Sequence, residues 1–411
     1  MRLSTGRWVS GDDFFDRATE LRLLESLVRD RNHVLLSGQR RMGKTSIVRE
    51  LGRRLENDGW IFLFADVEGA DCPEDLVATI AEAAHPIRSI SGRVAAAMQR
   101  FFAENVEEIS AHEFRLKIRA GLSAGSWQHY GAQLFRECAD DKPVLLAVDE
   151  LPIFLKRLHR DDGNARRVDD LLSWMRGVVE TLGERAPVLI TSGSIGLEPF
   201  VQRLGLPDRI NYLYSFRLGP WPAETCESCF NRLAERYELQ IDDGVALAVY
   251  ERLGVGIPHL VQSFFARLRD FAGFRGRNRL TVDDVHEVYQ TAFLGPAGQS
   301  DIVHYDTRLQ DALEDEGYTL AMEILAEAAT QDVFSPDARR RLERQYAEKI
   351  EDVRGCVSDV LDVLVHDGYL QPDAGGYRFP LHPLKDWWAG RFRDHHVPLR
   401  DRRTDHDAGE P

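Results

Sequence analysis

The chain has 411 residues, of which 43% are hydrophobic and 29% are charged, and these proportions are typical of a globular protein with two or three domains. Its formal net charge of −15 argues against general electrostatic adhesion to nucleic acid or to an anionic membrane. There is no apolar run of membrane-spanning length and no signal-peptide core, and five cysteines are too few for a disulfide framework. These features predict a cytoplasmic protein that does not bind a membrane.

The chain opens with a lead-in, residues 1–32, that carries Phe15 and Arg17 just before a predicted helix. The apolar residues of that helix recur at helical spacing and are expected to face inward: Leu21, Leu24, Leu27 and Val28. The apolar run at residues 34–36 then predicts a buried strand.

The most informative motif follows this strand. Residues 38–45 have the pattern G-x-x-x-x-G-K-T, and a helical pattern begins at Ser46. A strand, a glycine loop, Lys-Thr and a helix in this order predict a phosphate-binding loop for ATP. The two glycines let successive N–H groups point inward, Lys44 is expected to reach the β- and γ-phosphates, and Thr45 is expected to ligate Mg²⁺. The residues predicted to bind nucleotide here are Gly38, Gln39, Arg40, Arg41, Met42, Gly43, Lys44, Thr45 and Ser46.

Two arginines in this loop allow two interpretations. Arg40 and Arg41 would either contact the phosphates or clamp the loop to an acidic neighbour. The sequence does not choose between them.

The segment after the loop predicts a second buried strand over residues 60–67 and a helix over 73–84. Beyond these elements the pattern predicts helices near 93–108 and 126–139, with a short strand at 114–118.

A third apolar strand, residues 143–151, ends in Asp149 and Glu150. A carboxylate at the tip of a strand beside the phosphate loop holds the magnesium of a nucleotide, and we assign this role to Asp149. Glu150 leaves the strand and is predicted to be the catalytic base that deprotonates the attacking water. Because another strand separates this element from the phosphate loop in sequence, the predicted sheet order is 5-1-4-3-2. A charged loop at 160–167 and a helix at 168–182 follow.

Two further strands, at 187–194 and 210–218, complete a parallel sheet and an α/β fold of the P-loop NTPase type. Ser192 and Ser194 end the fourth strand, where a hydroxyl would sense the γ-phosphate or cap the next helix. Arg209 precedes the fifth strand and is predicted to act as an arginine finger, in cis or across a subunit interface. The alternative is an ordinary surface arginine.

The predicted core, residues 1–219, is followed by a predicted helical lid over 220–298, with a linker at 295–298. The lid helices are predicted at 223–238, 242–253, 258–272 and 281–293. The last of them begins with a capping signal at Thr281.

The lid also contains the one CxxC pair, Cys226 and Cys229. A zinc site would need two more ligands nearby, so these thiols are expected to pack on a helix face.

The C-terminal part, residues 299–399, is predicted to be a winged-helix domain. Three helices over 308–368 precede a hairpin signature at 368–379, and a disordered tail over 400–411 follows.

This part of the chain is acidic. From residue 301 onward it contains 24 acidic and 14 basic residues, and the predicted third helix, 351–367, carries one arginine among five acidic residues. Such a surface repels phosphates, so DNA binding is disfavoured relative to protein contact or packing within the chain.

Several segments together resemble the archaeal-type ATPases, a branch of the AAA+ group close to the signal-transduction (STAND) and origin-recognition ATPases: FFDRATEL, GQRRMGKTS, VLLAVDELP, ITSGSIGLE and LGVGIP. The resemblance extends from residue 8 to residue 390. It implies that Phe15 and Arg17 lie against the adenine, and that Pro258 marks where the lid meets the nucleotide. Many AAA+ proteins carry a sensor arginine at this position, where this chain has a proline. The alternative interpretation is that Pro258 only begins its helix.

These observations predict an ATP-binding, Mg²⁺-dependent ATPase with slow turnover that acts as a nucleotide-controlled switch with a winged-helix effector. Two alternatives are a DNA-binding ATPase of the origin-recognition or transposition-regulator type and a partner-binding scaffold in bacterial defence or signalling. The expected partners are ATP and ADP, together with a protein partner or a second copy of the chain.

Overall fold

A five-stranded parallel sheet forms the centre of the N-terminal half of the chain. The structure, a computed structural model, describes residues 1–85, 110–122, 126–138, 142–193, 196–313 and 315–402. The strands of the sheet are β1 His33–Ser37, β2 Ile61–Asp66, β3 Val144–Asp149, β4 Val188–Ser192 and β5 Leu213–Arg217. They lie in the order β2-β3-β4-β1-β5, and every neighbouring pair is parallel. The predicted order 5-1-4-3-2 is therefore confirmed.

Helices connect these strands: α1 Ala18–Arg29, α2 Lys44–Asn57, α3 Pro73–Ala84, α4 Ala111–Gly121, α5 Trp127–Cys138, α6 Leu151–Asp162, α7 Arg166–Leu182 and α8 Leu197–Arg203. Strands β3 and β4 are buried along their whole length. Continuous burial requires that both faces of a strand are covered, which explains why the sequence of these strands is apolar throughout rather than alternating.

The predicted short strand at 114–118 is wrong, because these residues lie within α4. The Ser110 hydroxyl accepts a hydrogen bond from the Glu113 amide at 3.3 Å, and the Glu113 carboxylate accepts one from the Ser110 amide at 3.0 Å. This reciprocal capping box begins a helix, and its Ser-x-x-Glu signature was present in the sequence.

Helix α6 was not predicted from the sequence. It begins directly after Glu150 and ends inside the region expected to be the loop at 160–167. The predicted helix near 93–108 lies outside the described residues.

Contacts divide the chain into two units. The core unit consists of Trp8–Gly38 and Gly43–Leu218, and it contains the sheet. The C-terminal unit consists of Met1–Arg7, Gln39–Met42 and Gly219–Pro411. Four residues of the phosphate loop therefore make their contacts within the C-terminal unit.

The C-terminal unit is mainly helical. Its elements are α9 Ala223–Arg236, β6 Gln240–Ile241, α10 Val245–Leu253, α11 Pro258–Phe274, β7 Arg279–Leu280, α12 Val282–Val288 with a π-helical turn Tyr289–Phe293, α13 Pro296–Ala312, α14 Asp315–Thr330, α15 Pro336–Tyr346, α16 Val353–His366, β8 Gln371–Asp373, β9 Gly376–Arg378 and α17 His382–Phe392. Strands β8 and β9 are antiparallel, so the predicted hairpin is confirmed.

Two predictions for this unit are wrong. The expected linker at 295–298 is helical, because α13 begins at Pro296, where the fixed φ of proline suits a first helical turn. The three helices predicted over 308–368 are present as α14, α15 and α16, and the end of α13 precedes them. The predicted disordered tail is wrong at its start, because Arg402 forms an ion pair with Glu323 at 2.7 Å. Residues 403–411 lie outside the described part of the chain.

Two smaller predictions are confirmed. Cys226 and Cys229 are buried on α9, as the predicted packing on a helix face requires. Thr281 caps α12 by accepting a hydrogen bond from the Asp284 amide. Among the described helices, none is long and apolar enough to cross a membrane.

Candidate functional site

The phosphate loop, residues 38–45, connects β1 to α2, and its backbone requires glycine. Gly38 has a φ of +149°. A Cβ atom there would lie 2.7 Å from the Leu218 carbonyl oxygen, because the Leu218 amide hydrogen bonds to Ser37 and brings that backbone close. Gly43 has a φ of +93° and stands just before the first residue of α2. Both positions have backbone conformations that side chains other than glycine rarely adopt.

Lys44 is the first residue of α2 and is 6% exposed. Its Nζ donates a hydrogen bond to the Gly38 carbonyl oxygen at 2.6 Å, so the ammonium group lies across the mouth of the loop. A positive charge at a helix N-terminus ringed by backbone amides makes an anion-binding site.

The Asp149 carboxylate is the centre of the site. Its Oδ2 accepts a hydrogen bond from the Thr45 hydroxyl at 2.6 Å, and its Oδ1 accepts one from the Ser192 hydroxyl at 2.6 Å. These three side chains come from the ends of α2, β3 and β4, which the sheet order brings together. Asp149 is 4% exposed, and hydroxyl donors on both oxygens compensate the cost of its burial.

Glu150 follows in a left-handed conformation, with a φ of +58°. This turn ends β3 and places Glu150 at the start of α6. A Cβ on Gly193 would collide with the Pro152 ring, so the first turn of α6 packs tightly on the end of β4. The pair Glu150 and Ser192 is thereby fixed at the carboxyl edge of the sheet, where ligands of open parallel sheets bind.

The lead-in residues contact α2. The Val9 amide donates a hydrogen bond to the Ser46 hydroxyl at 3.1 Å, so Ser46, which is predicted to bind nucleotide, also holds the lead-in against α2. Arg17 has a φ of +68°, is 5% exposed and pairs with Glu20 at 2.7 Å, and Phe15 is half-buried. Their predicted contact with adenine remains a prediction.

The remaining loop residues belong to the C-terminal unit. Gln39 Nε2 donates to the Tyr305 hydroxyl and to the Gly368 carbonyl oxygen, each at 3.3 Å. Met42 is buried, and Arg41 has a φ of +66° beside the half-buried Arg40.

Two predicted site residues have clear local partners. Arg209 Nε pairs with Asp169 Oδ1 at 2.5 Å in the same chain, and this hydrogen bond lowers the pKa of Asp169. Pro258 is the first residue of α11, as expected if it serves to begin that helix. The backbone of Trp221 bonds to that of nearby Gly256 at 2.8 Å, which leaves no space for a side chain at residue 256. The roles of Arg209 and Pro258 toward a nucleotide remain predictions.

Two residues close to this site were not predicted from the sequence. Asp66 ends β2 and is the register partner of Asp149 on the neighbouring strand. Arg49 lies one helical turn after Thr45, with its guanidinium between the rings of Trp8 and Phe64. The signal for Asp66 was the shared ending of two apolar strands, residues 61–66 and 144–149, in aspartate. No local signal identified Arg49.

The arrangement fits a magnesium ion held together with phosphates. Mg²⁺ prefers oxygen ligands and is bound in nucleotide sites through one or two protein groups plus phosphate oxygens. Thr45 and Asp149 present a hydroxyl and a carboxylate within hydrogen-bond distance of each other, beside the Lys44 ammonium.

Comparison with protein-family models and with curated proteins finds no match. Among solved structures, a Walker-type ATPase of Pyrococcus abyssi is 16% identical and has a TM-score of 0.60, with 94% of this chain and 99% of that chain covered. The ORC2 protein of Aeropyrum pernix, determined in ADPNP and ADP complexes, is 14% identical with a TM-score of 0.55, and covers 93% of this chain and 97% of its own. With its sheet order and its phosphate loop, the chain therefore has the AAA+ P-loop ATPase fold of the archaeal proteins that its motifs resemble.

Proposed function

We propose that this protein binds ATP together with Mg²⁺ and hydrolyses it slowly. The observation that carries the proposal is the 2.6 Å hydrogen bond between the Thr45 hydroxyl and the Asp149 carboxylate, next to the buried Lys44. A metal-bound triphosphate needs this set of groups at the end of a phosphate loop. The fold adds support, because the similar structures include a protein described as a Walker-type ATPase.

In this proposal each part of the site has a task. The loop amides and Lys44 hold the β- and γ-phosphates, and Mg²⁺, held by Thr45 and Asp149, supplies neutralisation of phosphate charge when bound. Glu150 accepts a proton from the water that attacks the γ-phosphorus while the bond to the ADP oxygen breaks. Ser192 orients Asp149 and is placed to respond to the γ-phosphate. The remaining proposed contacts are Phe15, Arg17 and Pro258 on the adenine side and Arg209 at the γ-phosphate.

Two substitutions test the proposal. Lys44→Ala is expected to weaken ATP binding by about 10- to 100-fold, since one charged contact is lost. Glu150→Gln is expected to bind ATP normally while turnover falls by about 10²- to 10⁴-fold, because the general base is lost. Binding is measured by calorimetric titration and turnover by phosphate release, with Glu184→Gln, an exposed residue, as the matched control. Wild-type protein that neither binds nor hydrolyses ATP would refute the proposal.

We further propose that the nucleotide controls the C-terminal unit as a switch. Support comes from Gln39, a phosphate-loop residue whose side chain is bound by Tyr305 and Gly368. Gly368 has a φ of +80°, and a Cβ there would collide with the Gln39 side chain. Tyr305 is itself fixed, since its carbonyl oxygen accepts the Tyr369 hydroxyl at 2.7 Å. A change in the loop on binding phosphate therefore acts directly on these C-terminal residues.

Tyr305→Phe tests this switch. The change removes the hydroxyl that accepts from Gln39 but keeps the ring. We expect the variant to bind ATP about fivefold more tightly than wild type. In the wild type the loop must break the hydrogen bond between Gln39 and the Tyr305 hydroxyl when it closes on phosphate, and the variant does not have this bond to break. Tyr318→Phe is the matched control, since the Tyr318 hydroxyl bonds to Asp306 at 2.9 Å and not to the loop. Equal affinities for wild type and Tyr305→Phe would contradict the switch.

We propose that the C-terminal winged helix, formed by α14 to α16 and the hairpin, contacts protein rather than DNA. Phe334 and Tyr377 form an antiparallel backbone bridge, which adds a third extended segment to the hairpin, as in winged helices. The exposed side of α16 presents Arg354 with Asp359 and Asp362, which is a poor surface for phosphates. We also propose a cytoplasmic location, because five cysteines in 411 residues are too few for a disulfide framework.

A further inference from the structure

Arg49 lies on α2 four residues after Thr45, so both side chains emerge from the same face of the helix. Its guanidinium carbon is 4.1 Å from the ring centroid of Trp8 and 3.8 Å from that of Phe64. A planar cation between two aromatic rings is held in a fixed place and is poorly hydrated. Its Nε is buried and has no hydrogen-bond partner among the described residues.

The lead-in fixes Trp8 over this arginine. The Val9 amide bonds to Ser46 at 3.1 Å, and the Gly11 amide bonds to Glu50 at 2.8 Å. Burial would raise the pKa of Glu50, but hydrogen bonds from Arg53 and the Gly11 amide bring it down to about 2. Glu50 is therefore ionised at neutral pH, and the two anchors flank Arg49 along the helix.

Phe64, the second aromatic residue in contact with Arg49, lies on β2 close to the acidic strand ends of the sheet. Phe64 and Asp66 are two residues apart on β2 and share one face. Asp66 is paired in register with Asp149, and the Val67 amide bonds to the Asp149 carbonyl oxygen at 3.1 Å. Burial lowers the pKa of Arg49, whereas the charges of Asp149 and Asp66 act in the opposite direction. Arg49 contacts Phe64, two residues before Asp66, and lies one turn from Thr45, which bonds to Asp149, so its charge lies on the side of both carboxylates.

We propose that Arg49 is a positioning residue that offsets the charge of Asp66 and Asp149 and so lets a triphosphate approach the acidic edge of the sheet. The inference rests on the proposed ATP binding. A bound divalent cation offsets the same two carboxylates, so the charge of Arg49 matters most when no divalent cation is present. A residue that only packed between two rings would have the same effect on binding with and without the cation.

The test compares ATP affinity in excess Mg²⁺ and in EDTA for wild type and variants. Arg49→Met removes the charge but keeps a side chain that packs between rings, and we expect about five- to tenfold weaker binding in EDTA. In Mg²⁺ the loss is expected to be less than about twofold. Arg49→Lys is expected to restore most of the affinity in EDTA. Arg22→Met, at an exposed position of α1 where the guanidinium bonds to Ala18 and Thr19 of its own helix, is the control and is expected to match wild type in both buffers.

Three results would overturn the inference: equal weakening of Arg49→Met in both buffers, no weakening in either, or an Arg49→Lys variant that behaves like Arg49→Met. If Arg49→Met does not fold, as judged by thermal unfolding, Arg49→Gln is measured in its place with the same expectation. If wild-type protein binds no ATP in either buffer, the proposed function itself fails. If wild-type protein binds ATP but the affinity of Arg49→Met relative to wild type is the same in both buffers, only the role of Arg49 fails.

Discussion

At the scale of single residues, the site depends on one carboxylate that accepts two hydroxyl donors. Asp149 is held by Thr45 and Ser192 at 2.6 Å each, and its neighbours on either side in space are the strand ends of β2 and β4. Removing a partner from such a buried network leaves an unsatisfied charge, which costs more than the partner itself contributes.

His33, the first residue of β1, makes the stability of the core unit depend on pH. Its Nδ1 accepts a hydrogen bond from the Leu189 amide at 3.0 Å, which requires the neutral ring. Burial, with a smaller effect of Arg31, lowers the pKa of His33 from 6.5 to about 4. Below pH 6.5 the unfolded chain takes up a proton that the folded ring resists, so the free energy of unfolding falls as the pH drops from 6.5 to about 4.

We therefore expect a loss of about 2 kcal/mol over this range, after allowance for the partial exposure of the ring. In His33→Asn, whose side-chain oxygen still accepts from Leu189, this part of the pH dependence is expected to disappear. Denaturant unfolding at a series of pH values measures it. Parallel pH curves for the variant and the wild type would contradict the assignment.

At the scale of elements, a recognised capping residue in the sequence located the start of its helix. The signal at Thr281 was recognised, and α12 begins there. The equivalent signal at Ser110 begins α4, which contains the residues predicted to form a short strand. Satisfying the first free amides of a helix outweighs the weak strand preference of a few residues.

Removing the Thr281 cap tests this energetic argument. Thr281 accepts from the Asp284 amide, while Asp284 is held by Arg277 and by the Thr281 amide at 2.9 Å. Thr281→Ala is expected to cost about 1 kcal/mol. Hydrogen exchange of the α12 amides would then be about fivefold faster, whereas Thr281→Ser would leave it unchanged. Thr319→Ala, on a different helix, is the control; the same rate in Thr281→Ala and wild type would contradict the cap.

At the scale of the whole molecule, Arg209 is the residue whose proposed role is either within its own chain or across an interface with a second copy. Its ion pair with Asp169 is partly exposed, and water screens such pairs so that they contribute little to stability. The pairing is therefore weak enough to be given up to a phosphate.

We expect light scattering of Glu150→Gln to show an increase in mass when ATP is added, because hydrolysis no longer ends the ATP-bound state. Adding Arg209→Ala to that variant is expected to reduce the increase, whereas Arg203→Ala, on nearby α8, is not. A constant monomer mass with and without ATP would instead assign Arg209 to a role within its own chain.

The sequence by itself determined the phosphate loop, the strand that ends in Asp149 and Glu150, and the order of the sheet. These features are local or follow from the order of apolar strands, because glycine, Lys-Thr and strand-end acids have their chemistry wherever the strand and helix form. The predicted boundaries were less accurate near Pro296, where one proline is compatible with both a linker and a helix start.

Only the tertiary structure decided which distant residues share the site. Trp8, Arg49 and Phe64 come from three separate segments, and they meet because the lead-in crosses α2 while α2 packs on β2. Gln39 meets Tyr305 although the two are 266 positions apart. Such contacts leave no periodic pattern in the sequence, since they depend on how whole elements pack and not on the propensities of neighbouring residues.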